Sequence, residues 1–97
     1  MRLKQNEIKI INKTILNIFQ ESKIYLFGSR IDDTKKGGDI DIFVLPLNRN
    51  NLFEKKIKTI AKLKNQLHKP IDIVVHKDFN RLIEQEAQKG ILLNTIN

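Results

Sequence analysis

An α+β fold, with a small mixed sheet of about four strands packed against helices mainly on one side, is what this 97-residue sequence predicts. Three observations carry that expectation. Two long segments place apolar residues at helical spacing. Four short runs are rich in Ile, Val, Leu and Phe. The two kinds of segment follow one another as α-β-β-α-β-α-β, with no linker, repeat or low-complexity tract between them. The length fits a single domain over residues 1–97 with a modest core.

The elements follow in order. Residues 5–21 bring Ile8, Ile11, Ile15, Ile18 and Phe19 to one side of an amphipathic helix. "KIYLF", 23–27, is a short β-rich run that stops at Gly28. Ser29 to Gly38 has the aspartates, lysines and Gly-Gly pair of a polar loop. "DIDIFVL", 39–45, alternates, with Ile40, Ile42 and Val44 on one face and Asp39, Asp41, Phe43 and Leu45 on the other. Pro46 and "NRNN" end that strand. Asn50 or Asn51 then caps a helix over about 51–67, whose apolar face is Leu52, Phe53, Ile57, Ile60, Ala61, Leu63 and Leu67. Pro70 stops the chain and "IDIVV", 71–75, reads as a third strand. Asp78 or Asn80 caps a last short helix with Leu82, Ile83 and Ala87, closed by Gly90, and "ILLN", 91–94, reads as an edge strand.

Composition excludes several classes. With 40% hydrophobic and 30% charged residues the chain reads as a globular protein rather than a disordered one. It contains no Cys, so neither disulfides nor thiolate metal sites arise. "MRLKQNEIKI" lacks the apolar core of a signal peptide, and no apolar run approaches a membrane span, so the expected location is cytoplasmic, away from any membrane. The net charge of +7 admits nucleic acid as a partner. The basic residues are nearly all lysines spread along helical segments, however, and a solvated lysine surface is the favoured reading. His68 and His76 read as surface residues without a second ligand at metal spacing.

Chemistry concentrates at "LFGSRIDDTKKGGDIDIFVL". Asp39 and Asp41, two apart on a strand, point to one face roughly 7 Å apart by strand rise. Like charges this close repel, and a divalent cation between them relieves the repulsion. Oxygen ligands with no Cys or His beside them favour a hard ion, Mg²⁺ or Mn²⁺. Asp72 sits between isoleucines in "PIDIVV" just as Asp41 does in its own strand. If the two strands are neighbours, Asp72 completes a three-carboxylate cluster able to hold two metals. The Gly28-Ser29 turn offers backbone N–H groups and a hydroxyl to a phosphate, with Arg30 adding a forked charge and Lys35 or Lys36 a looser one. Each feature alone is ordinary turn or cap chemistry; together they point to phosphoryl transfer.

Gly28-Ser29, a nine-residue spacer, Asp39-Ile40-Asp41 and the later Asp72 resemble the polymerase-β-like nucleotidyltransferase superfamily, and within it the minimal nucleotidyltransferase (MNT) branch. The likeness spans nearly the whole chain, including the tail "FNRLIEQEAQKGILL"; many close relatives have a spacer of ten, which leaves the register of Lys35 and Lys36 open. The resemblance implies the polymerase-β-like fold, with Asp39 and Asp41 as the catalytic metal-binding pair and Asp72 as third carboxylate, activating the acceptor hydroxyl. Gly28 and Ser29 become the triphosphate-holding turn, assisted by Arg30. It further implies Mg²⁺, ATP as substrate, and a partner: branch members act as antitoxins of small helical HEPN proteins by moving AMP to a tyrosine hydroxyl. A chain this short leaves the acceptor or a second subunit to finish the site, which admits oligomerisation. The alternatives are a non-catalytic antitoxin that binds its partner, transfer to nucleic-acid ends, and, last, nucleotidylation of a small molecule.

Overall fold

The computed structural model describes residues 3–28 and 39–94. Ser29, Arg30, Lys35 and Lys36 lie outside them. The described chain forms α1 (Gln5–Phe19), β1 (Ser22–Phe27), β2 (Ile40–Pro46), α2 (Leu52–Leu67), β3 (Ile71–Val75), α3 (Leu82–Gln88) and β4 (Ile91–Leu92). This is the expected element order, and among the described residues no helix is long and apolar enough to cross a membrane.

The four strands form one sheet in the order β3-β2-β1-β4. β1 runs antiparallel to β2 and to β4, while β2 and β3 are parallel. A parallel pair needs a crossover, and α2 supplies it. Strand alternation then sorts the side chains. Ile24, Leu26, Ile40, Ile42, Val44, Ile71 and Ile73 meet Ile11, Ile15 and Phe19 of α1 and Leu63 and Leu67 of α2 in the main core. On the opposite face Phe27 and Phe43 pack on Ala87 of α3, with Tyr25, Leu45 and Val74 around them. Helices therefore cover both faces: α1 and α2 the larger core, α3 part of the other.

Several local expectations change. Phe53 and Ile57 are 74% and 51% exposed, and Ala61 is exposed too, so none joins the core. At about 100° per residue the buried stripe of α2 centres on Leu52, Thr59, Leu63 and Leu67; Phe53 lies about 85°, Ile57 about 125° and Ala61 about 165° from that centre. Thr59 takes the place in the stripe, its hydroxyl donating to the Lys55 carbonyl at 2.7 Å. Asn51 does hold the N-cap position of α2, in a left-handed conformation, but makes no side-chain cap bond. Arg81, not Asp78 or Asn80, precedes α3; Asp78 Oδ1 instead accepts the Asn80 N–H at 2.9 Å. Gly90 follows α3 as expected, for a steric reason: a Cβ there would lie 2.1 Å from the Leu26 carbonyl oxygen. Pro46 is the last residue of β2 rather than the residue that follows it.

Candidate active site

β1 and β2 deliver the site at one end of the sheet. Phe27 pairs with Asp41 across the antiparallel ladder, and Asp41 pairs with Asp72 across the parallel one. Register partners in a sheet share a face and stand about 4.8 Å apart between strands, so Asp41 and Asp72 sit side by side on the face that carries Phe27 and Phe43. Both are the second residue of their strand. Asp39 lies one residue ahead of β2 and is exposed, as is Asp72, while Asp41 is half-buried. The sequence expectation that strands 39–45 and 71–75 are neighbours holds, and with it the meeting of Asp41 and Asp72.

Gly28 closes this corner. It has φ +78°, and a Cβ built on it would fall 2.4 Å from Asp41 Oδ2. Glycine is needed there on both counts: a side chain would strain the backbone and collide with the carboxylate. Glycine at position 28 thus makes room for the Asp41 carboxylate.

Electrostatics single out Asp41. Burial pushes its carboxyl above the ordinary value, and the neighbouring charges of Asp72 and Asp39 push it further the same way. Among the described residues no group of three His, Cys, Asp or Glu side chains converges as a finished metal cage. The donor set nevertheless fits a divalent cation: all ligands are oxygen, and among the described residues no positive charge is recorded against the half-buried member.

A second titratable cluster escaped the sequence reading. Glu84 of α3 is completely buried. It accepts from His76 Nδ1 at 2.6 Å, from the N–H groups of Lys77 and Asp78 at 2.8 and 2.9 Å, and from Arg81 Nη1 at 3.1 Å. Burial alone would raise its carboxyl, but these donors hold it down at about 2. His76, expected on the surface, is therefore half-buried and fixed; His68 is exposed, as expected. The sequence signal was slight: a Glu three residues after an Arg, in a short helix.

The family model for "Polymerase beta, Nucleotidyltransferase" matches residues 6–97. The chain belongs to the polymerase beta nucleotidyltransferase family. Members of the family generally use a divalent metal and a nucleoside triphosphate. Among solved structures, the chain resembles one from a complex of tri-AMPylated HEPN toxin with MNT antitoxin of Shewanella oneidensis, with 24% identity and a TM-score of 0.74 over 97% of this chain and 74% of that one. A second Shewanella oneidensis structure matches with 20% identity and a TM-score of 0.61 over 90% and 68%. At these identities the likeness is one of fold. No curated protein matches the sequence.

Proposed function

We propose that this nucleotidyltransferase moves AMP from ATP to a hydroxyl, a tyrosine's, on a helical HEPN-type partner and so acts as its antitoxin. The observation that carries the reading is the in-register pair Asp41–Asp72 beside Gly28, in a chain of this family. The fold it shares with a chain from an antitoxin complex whose toxin is AMPylated supports the choice of a protein acceptor.

Asp39, Asp41 and Asp72 would hold Mg²⁺, two ions in the full site, with Mn²⁺ as the other suitable ion. Bound there, the metal supplies positive charge to the phosphates and lowers the pKa of the attacking hydroxyl. The Gly28-Ser29 turn and Arg30 hold the triphosphate. The hydroxyl oxygen forms its bond to the α-phosphorus as the bond to the bridging oxygen breaks; pyrophosphate leaves with that electron pair, and Asp72 takes the hydroxyl proton. Asp72 is the exposed member of the register pair, which leaves it accessible to an incoming acceptor.

The test incubates the purified chain with α-labelled ATP, Mg²⁺ and a lysate of its source cells, beside Asp39→Asn. A labelled protein band that requires Asp39 supports the reading and yields the acceptor. Label on nucleic acid, or no label at all, overturns it. Absent label together with tight binding of a helical partner would favour the non-catalytic antitoxin.

A further inference from the structure

Away from the aspartates, a cavity of about 320 Å³ opens where the first turn of α2, the end of β3 and the approach to α3 meet. Lys56, His76, Lys77 and Arg81 line it, together with Phe53 and Val75 among its apolar walls. Among the described residues no carboxylate lines it, and none of Asp39, Asp41 and Asp72 belongs to it.

The cavity is built rather than incidental. Glu84, wholly buried beneath it, ties down both His76 and Arg81 and also the 77–78 backbone. Phe79 stacks on the His76 ring at 4.1 Å between centroids, and Arg49 donates to the His76 carbonyl. An isolated buried carboxylate costs several kcal/mol, about what a pair of ionised partners recovers only with good geometry. Here the geometry holds two basic side chains in place at a concave surface before any ligand arrives, which lowers the ordering cost of binding. With one buried carboxylate against the charges of Lys56, Lys77 and Arg81, the cavity is net positive. Phe53 presents a ring that is 74% exposed at its edge, a large apolar face left uncovered by the fold.

Three cationic side chains and an open aromatic ring lining one cavity fit an anion joined to a flat apolar group. A phosphate monoester offers three acceptor oxygens and close to two charges, matching several donors at once, where a carboxylate offers less. The volume is that of a small-ligand pocket. We propose that this cavity is a second phosphate site, separate from the aspartate corner, and that it takes a nucleoside monophosphate, phosphate against Lys56, Lys77 and Arg81, base against Phe53. The site does not depend on which acceptor the enzyme modifies.

The test is an NMR titration of the ¹⁵N-labelled chain with AMP, inorganic phosphate and adenosine, in EDTA so that the aspartate corner carries no metal. AMP is expected to shift the amides of Lys56 and of residues 74–81 saturably, with phosphate acting more weakly on the same amides. Lys56→Gln with Lys77→Gln should weaken AMP about tenfold, as lost charge-assisted contacts at a half-open site would. Phe53→Ala should weaken AMP but not phosphate. Both sets alter side chains that are exposed or half-exposed, and the spectra themselves report whether the fold persists. The proposal is overturned if AMP shifts only amides around Gly28, Asp41 and Asp72, or if the double lysine variant binds it as tightly as the parent.

Discussion

Asp41 is the residue at which stability and function pull in opposite directions. Its half-buried carboxylate lies beside Asp72 and is pushed above its ordinary value by burial and by two like charges, so in metal-free protein it destabilises the fold. Asp41→Asn removes that repulsion. In EDTA the variant should melt higher than the parent, because burial and the charges of Asp72 and Asp39 raise the carboxyl and so disfavour its ionised form in the fold. The same variant should lose nucleotidyl transfer. Higher stability with lost transfer would mark the aspartate as functional; unchanged or lower stability would contradict the electrostatic account. Gly28→Ala should do harm in both respects. The left-handed backbone costs a non-glycine residue about 1–2 kcal/mol, and the new methyl would displace the Asp41 carboxylate, so thermal unfolding should fall and transfer with it. These two residues were legible in the sequence because their chemistry demands fixed spacing. What it concealed was the contact between them, since that depends on the register of β1 against β2.

Among the elements, β4 shows how a two-residue strand can close a sheet. Its ladder to β1 spans only Tyr25–Leu92 and Leu26–Ile91. Leu93 then donates its N–H to the Ile24 carbonyl at 2.7 Å, and the Asn94 side chain takes over: Oδ1 accepts from the Ile24 N–H at 2.8 Å and Nδ2 donates to the Ser22 carbonyl at 2.8 Å. The amide thus stands in for another stretch of strand. Asn94→Ala would strip both bonds and leave a part-buried backbone donor unpaired, at a cost of about 1–3 kcal/mol in urea unfolding. Asn94→Asp, which keeps the acceptor, should cost less. The sequence showed the strand at 91–94 but could not show that its last residue pairs through a side chain. Helix faces were legible to the same degree. The stripe of α1 stood out in Ile8, Ile11, Ile15 and Phe19, because one face alone is apolar. In α2 apolar residues extend well beyond the stripe, and periodicity could not tell Leu63, which is buried, from Phe53, which is not.

At the scale of the whole molecule, two carboxylates clamp one element to the chain that follows another. Glu7 in α1 accepts from Lys69, which follows α2, at 2.7 Å, and Glu84 in α3 gathers the residues that follow β3. Burial raises both carboxyls. For Glu7 the Lys4 N–H and the Lys69 ammonium outweigh that rise, and for Glu84 the donors from Asp78, His76 and Lys77 do so by more. A carboxyl held below its unfolded value stabilises the fold fully above that unfolded value and ceases to as pH falls through the folded one. For Glu84 the window runs from the model-peptide value of 4.5 down to about 2. The difference corresponds to roughly 3 kcal/mol. Unfolding free energy, followed by urea denaturation at a series of pH values, should therefore fall steeply between pH 5 and pH 2. Glu84→Gln should lower stability at neutral pH, because His76, Arg81 and two backbone donors lose a charged acceptor, and should flatten the acid limb of the curve. An unaltered acid limb would mean that the fold's acid sensitivity lies elsewhere. Because Glu84 also sets the walls of the cationic cavity, the variant should weaken AMP at pH 7 even where the fold is intact. One buried charge would then link how firmly β3 and α3 are joined to what the surface between them can hold.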